Sequence, residues 1–296
     1  MKMYFFRGEE PNFGDELNQW LWPRVFGNIW NDGDPELFLG IGSILYNYDY
    51  LPRGQKKIVF GAGYGGYSEK PDMHDGSWDV YFVRGPQTAE VLGLDPKSAL
   101  TDAAVLVRAA TLPPPATPVI TSFMPHFQSI KRGNWQEVCD QAGIRFIDPR
   151  SAVDKVLSQI LGSQILLTEA MHGAIVADAL RIPWVPLLPI STSHHFKWAD
   201  WMRSIEMEFH PIRLLPSSSR EAWMLKTGRK AESKAARAVA ASAIGRMADA
   251  ALVPLAVQNL VNAANGRTWL SEERVIARLT DRAVEMTDKF KRDFGF

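Results

Sequence analysis

Lys57-Ile58-Val59-Phe60-Gly61-Ala62-Gly63-Tyr64-Gly65-Gly66 is the stretch on which the fold reading turns. An apolar run enters a glycine-dense segment with no polar residue between them. A short continuous apolar run closed by glycine is the pattern of a strand buried on both faces, as in parallel sheets. The pattern recurs on either side. Met3–Phe6, Phe38–Gly42 and Val80–Val83 are expected strands, and Ala103–Val107 reads as a fifth. Helical spacing falls between them over Asp15–Val25 and Gln87–Leu92. Strands alternating with helices predict a doubly wound α/β unit.

Leu112-Pro113-Pro114-Pro115-Ala116-Thr117-Pro118 then interrupts the pattern. Proline density makes such a segment extended and stiff, which marks a domain boundary. The alternation restarts with strands expected at Val119–Thr121, Ile144–Ile147, Gln164–Leu167 and Trp184–Leu187. Helices are expected at Trp135–Ala142, Ala152–Ile160 and His172–Leu180. From Ser219 onward Ala-rich helical spacing runs to Phe296. The expected organisation is a Rossmann-like domain over 1–112, a second over 117–218, and a helical tail over 219–296 that packs back on the first.

The 296 residues carry 33 Lys plus Arg and 33 Asp plus Glu, so the net charge is zero. No global field draws in nucleic acid, and any anion site must be built locally. Cys139 is the single cysteine, which rules out an intrachain disulfide and a cysteine-held zinc. The chain suits a reducing compartment. The N-terminal apolar run is too short for a signal peptide, and Ala250–Val261 is too short to span a bilayer. The expectation is a soluble, cytoplasmic protein, at most peripheral to a membrane.

Ligands of open α/β sheets bind beyond the carboxyl ends of the strands, where this sequence places its unusual residues. Asn12-Phe13-Gly14-Asp15-Glu16 follows the first strand. Asp15 can cap the helix that starts there, or orient and deprotonate a sugar hydroxyl. Gly40, Gly42, Gly61 and Gly63 allow tight turns or close backbone approach to a ligand. Arg84, in Val83-Arg84-Gly85-Pro86, can grip a carboxylate or phosphate with its fork, or form a surface ion pair. His172 and Gly173 follow a buried strand at a helix N-terminus, where amide donors and the dipole favour an anion. Ser191-Thr192-Ser193-His194-His195-Phe196-Lys197-Trp198 reads as a donor-rich loop suited to phosphate or sugar. Adjacent histidines point apart and no HExxH is present, so no metal is expected.

Taken in order, Asn12-Phe13-Gly14-Asp15-Glu16-Leu17, Gly40-Ile41-Gly42-Ser43-Ile44-Leu45, Phe60-Gly61-Ala62-Gly63, Val83-Arg84-Gly85-Pro86, Thr101-Asp102-Ala103-Ala104 and Met171-His172-Gly173-Ala174 resemble the polysaccharide pyruvyltransferase family. The resemblance spans Met1 to Leu188 and is closest to the ketal-forming enzymes of exopolysaccharide synthesis. It implies two Rossmann-like domains facing a cleft, as in GT-B glycosyltransferases, with the acceptor on the first and the donor on the second. It implies phosphoenolpyruvate as donor substrate, no cofactor, and a lipid-linked oligosaccharide acceptor at the cytoplasmic membrane face. The family's donor-holding Arg, His and Lys map onto Arg84 and His172, and by position onto Lys197. Asp15 is then the expected acceptor of a hydroxyl proton. Asn12, Gly14, Gly42, Gly63, Gly173, His194 and His195 are expected around the substrates. Many members read Arg-Leu-His-Gly where this chain has Ala170-Met171-His172-Gly173, so a basic residue is missing beside the histidine.

Two rivals share the scaffold, since fold does not fix function. A nucleotide-sugar glycosyltransferase would bind a diphosphate sugar and ignore phosphoenolpyruvate. A non-catalytic sugar-binding protein could stack sugars on tryptophans, but Trp20, Trp22 and Trp184 sit in apolar patterns and read as core. In the tail, Lys226, Arg229, Lys230, Lys234 and Arg237 beside Ala-rich helix fit either a lipid-facing surface or a solvated face.

Overall fold

The apolar runs form two parallel sheets in the computed structural model, which describes residues 1–46, 51–52, 54–188, 194–229, 231 and 233–296. The described chain divides into two units. The first gathers Met1–Leu112, Ser193–Phe209 and Ser271–Phe296, and the second gathers Pro113–Thr192 and His210–Leu270. The 219–296 helical segment is therefore shared, its last helix belonging to the first unit and the rest to the second.

The first unit has β1 (Lys2–Tyr4), β2 (Leu37–Leu39), β3 (Lys57–Phe60) and β4 (Trp78–Phe82), ordered β1-β2-β3-β4 and parallel throughout. β2 and β3 are buried at every position, which explains the apolar run of β2 and of Ile58–Phe60, while the buried Lys57 that opens β3 donates to Gln55 O at 2.7 Å and Ser77 Oγ at 2.8 Å. Its helices are α1 (Phe13–Phe26), α2 (Pro86–Leu92), α7 (His195–Ser204) and α11 (Glu273–Phe294). Trp22 of α1 meets Phe38 edge-on at 4.9 Å, and Phe60 meets Phe82 at 4.8 Å. Phe290 of α11 closes this cluster at 4.6 Å from Phe26 and 5.3 Å from Tyr81. Edge-to-face pairs of this kind add about 0.5–1.5 kcal/mol each beyond the area they bury.

The second unit has β5 (Val119–Met124), β6 (Arg145–Phe146), β7 (Ser163–Thr168), β8 (Trp184–Leu188) and β9 (Ile212–Arg213), in the parallel order β6-β5-β7-β8-β9. Counted within the unit, that order is 2-1-3-4-5, so the winding reverses between β5 and β7. The helices are α3 (Phe127–Arg132), α4 (Trp135–Ala142), α5 (Val153–Leu161), α6 (Met171–Ala179), α8 (Ser219–Thr227), α9 (Lys234–Ala241) and α10 (Ala243–Ala264). Trp184 lies fully buried in β8, its indole N–H donating to Asp178 Oδ1 at 3.0 Å. Trp20 and Trp22 are also core residues, at 7% and 0% exposure.

Two expectations need correction. Ala103–Val107 is not a strand but the body of a 3-10 helix over Ala103–Ala109. Asp102 Oδ1 accepts the Ala104 N–H at 2.9 Å, and a capping aspartate turns the chain into helix despite its β-like composition. The loop expected through Trp198 ends earlier: α7 begins at His195, and Ser191, Thr192 and Ser193 lie outside the described residues.

Candidate functional site

In the first unit the carboxyl ends of the strands carry a charged cluster. Asn12 occupies the N-cap of α1, so Asp15 is not the cap residue but lies in the first turn. The Asn12 amide donates to Asp15 Oδ2 at 2.8 Å. Asn18 fixes this helix end. Fully buried, it donates to Ile41 O and Asp15 O and accepts from Ile41 N–H and Trp22 Nε1, at 2.8 to 3.0 Å. That buried amide, with every hydrogen-bonding position used, ties α1 to the turn after β2. In that turn Gly42 has φ +128°, a conformation that favours glycine, and its α-carbon faces Asp15. Asn12 and Asp15 line a cavity of about 270 Å³ with Arg7, Glu9 and Glu10. Gly14 is buried within the first turn of α1.

Arg84 follows β4 and is fully buried. Its Nε donates to Asp200 Oδ2 at 3.0 Å, one terminal nitrogen donates to Ser43 Oγ at 2.7 Å, and the other to Tyr64 O at 2.6 Å. The surface ion pair weighed for it is thus a buried one, with Asp200 of α7 as partner. Asp200 also accepts from the Thr88 N–H at 3.0 Å and the Thr88 hydroxyl at 2.6 Å. Gly63 is glycine because a side chain there would overlap the guanidinium.

Lys197, in the first turn of α7, is half-buried. Burial of the ammonium and the Arg84 charge lower its pKa to about 8, with Asp15 pulling the other way. The Tyr67 hydroxyl responds to the same two charges: burial raises its pKa to about 12, opposed by Arg84 and reinforced by Asp15. Tyr67 Oη also lies 2.9 Å from His194 Nδ1. Asp15, Tyr67, Arg84, His194 and Lys197 therefore share one electrostatic neighbourhood, while His195 points outward and is exposed.

His172 and Gly173 belong to the second unit, at the start of α6 and beside the topological reversal. His172 is half-buried. Gly173 has a packing reason distinct from ligand approach: a Cβ there would sit 2.8 Å from Thr168 Oγ1 and 2.9 Å from Met124 Sδ. Across the reversal, His126 follows β5, and its backbone N–H donates to Glu169 Oε2 at 3.0 Å. Glu169 is 1% exposed. Burial lifts its pKa to about 7 against the pull of Arg132, with Glu221 adding to the rise. Glu221 is itself raised by burial, although Ser217 and the Trp135 indole donate to it. Arg132 Nε is 3.8 Å from Glu221 Oε1. A guanidinium from α3 thus lies close beneath the β7–α6 junction, where Ala170 leaves none.

Among the described residues no group of three His, Cys, Asp or Glu is arranged to hold a metal. Sequence reasoning missed Asp200, Thr88, Tyr67 and His126. Asp200 carries a faint signal as the lone acid on an aromatic-rich helix, and the others carry none.

A family profile described as "Polysaccharide pyruvyl transferase" matches residues 12–189. The chain is 39% identical over 236 residues to "Succinoglycan biosynthesis protein ExoV" of Rhizobium meliloti (strain 1021), covering 77% of this chain and 72% of that protein. No solved structure matches the chain.

Proposed function

Because the chain belongs to the polysaccharide pyruvyl transferase family, we propose that it moves pyruvate from phosphoenolpyruvate onto a sugar of a lipid-linked exopolysaccharide precursor and closes a ketal. The proposal includes a GT-B-like reading of the two Rossmann-like units and a working position at the cytoplasmic membrane face. The observation that carries it is the convergence of Lys197, Arg84 and Asp15 at the strand ends of the first unit, in a chain with no net charge.

The chemistry assigns the roles. A proton adds to the methylene carbon of phosphoenolpyruvate, leaving cationic character on the neighbouring carbon. One sugar hydroxyl adds there and loses its proton, phosphate departs, and a second hydroxyl adds and loses its proton to complete the ketal. The carbon keeps one proton, and the two released protons pass to the base and the phosphate. Lys197 is the accessible cation suited to the donor's anionic groups. Arg84, wholly buried, acts through its field and by fixing the glycine turns. Asp15 accepts the hydroxyl proton, and its cavity, mixing acids, an amide and Arg7, suits a sugar. His172 holds phosphate and is the candidate proton donor.

A thermal-shift comparison tests the donor class: phosphoenolpyruvate raises the melting temperature and nucleotide sugars do not. The reverse result supports the glycosyltransferase. His172→Ala is expected to abolish phosphate release with its unfolding transition unchanged, and full activity in that variant removes the site assignment.

A further inference from the structure

α10 and α11 have the same length, 22 residues, and opposite surface chemistry. α11 buries Val275, Ile276, Leu279 and Phe290 and turns charged residues to solvent, as a surface helix does. α10 buries Val253, Ala256, Leu260 and Ala263 within its own unit, where it packs on α4. Its solvent side is apolar from Ile244 to Leu255 and turns polar beyond, at Gln258 and Asn262. Ile244 is 78% exposed, Met247 74% and Leu255 55%, with exposed Ala251 between them. Spacings of three, four and four put these residues on one stripe along the helix. Leu225 at the end of α8, a helix that packs on α10, is also exposed, at 49%. Four of the large exposed hydrophobics thus lie on α8–α10, where solvent alone would favour polar side chains.

The surrounding charge is one-sided. From Lys226 to Asp249 the sequence has Lys226, Arg229, Lys230, Lys234, Arg237 and Arg246 against Glu232 and Asp249, in a chain whose total is zero. Lys226, Arg229, Lys234 and Arg237 are exposed. Among the described residues no single helix is long and apolar enough to cross a membrane. α9 and α10 reach that length and composition only as a pair bent by 82°, and α10 is pinned along one side to its own unit. An exposed apolar stripe on a helix that does not cross, preceded in the chain by a run of exposed cations on α8 and α9, has the composition of an interfacial segment.

We propose that the α8–α10 face docks on an anionic lipid surface, Ile244, Met247 and Leu255 entering the acyl boundary while the basic side chains meet the headgroups. Its purpose rests on the reading of a membrane-borne acceptor, whereas the observations behind it do not.

Vesicle flotation tests the docking without any acceptor present. The full-length protein is expected to float with vesicles of phosphatidylglycerol and phosphatidylcholine in equal parts, and far less with phosphatidylcholine alone. Ile244→Glu with Met247→Glu is expected to cut flotation at least about tenfold, because two desolvating side chains are replaced by charges repelled by the surface. Lys234→Glu with Arg237→Glu is expected to weaken it and to flatten its salt dependence. Both variants should keep the wild-type melting temperature and pyruvyl transfer to a lipid-free oligosaccharide. Equal flotation of wild type and the Ile244/Met247 variant overturns the docking. So does a sedimentation result in which that variant only dissociates a self-associated form, which would make the face an interface between copies. Flotation without transfer activity would instead retain the docking and sink the catalytic reading.

Discussion

Asp200 Oδ2 lies 3.0 Å from Arg84 Nε with both side chains fully excluded from solvent, so the buried guanidinium of the first unit is matched by a carboxylate of the same unit. Removing one partner strands the other charge in a dry site. Asp200→Ala is expected to destabilise the protein by about 3–5 kcal/mol, read by urea denaturation. Arg84→Met combined with Asp200→Leu is expected to recover most of that loss and still lack turnover. Recovery of phosphate release by the double variant would reduce the pair to scaffolding.

Lys197, with its pKa lowered to about 8, gives the donor step a pH signature. The ammonium is present below that value and lost above it. The KM for phosphoenolpyruvate is therefore expected to rise above about pH 8, approaching tenfold per pH unit. Lys197→Arg should remove the rise by keeping its charge, and Lys197→Met should raise KM throughout. A KM that ignores pH up to the ordinary lysine range would exclude Lys197 as the gripping cation.

Glu169 carries a stability signature of opposite kind. Its pKa is about 7 in the fold and 4.5 as a free side chain, so the native state holds the extra proton between those values. Stability is then greatest below that window and falls as pH rises through it. Glu169→Gln is expected to abolish this fall and to be the more stable protein above the window. Denaturant melts on both sides of the window read the difference, and parallel pH profiles for the two proteins would contradict it.

Gly173→Ala places a methyl against Thr168 Oγ1 of β7, the strand that α6 packs on, and Met124 Sδ of β5. Overpacking of this order costs about 1–3 kcal/mol. The helix start is expected to shift and carry His172 with it, so phosphate release should fall by more than the melting temperature implies. An active, fully stable variant would show that the junction has slack.

The buried strands were the legible part of the fold. Ile58–Phe60 and Trp184–Leu187 announce themselves because burial on both faces demands apolar residues at every position. Ala103–Val107 misled for the same reason: it is equally buried, and burial alone does not separate strand from helix. Of the candidate site, the glycines and Arg84 stood out at the strand ends. Asp200 did not, because its partner lies 116 residues earlier and no local periodicity encodes such a pairing. His126 hid likewise, its position at the sheet's reversal being a property of strand order rather than of neighbouring residues.

The segment that completes the first core has a temporal consequence. Tyr81 donates a 2.6 Å hydrogen bond to Asp293, which lies 212 residues downstream, and Phe290 seals the aromatic cluster beside it. During vectorial synthesis β1–β4 leave the ribosome long before this closing helix does. Their aromatic face must wait uncovered while the whole second unit is translated. Nascent chains stalled before Glu273 should accordingly recruit holdase chaperones and yield to protease in the first unit, even where the second has already matured.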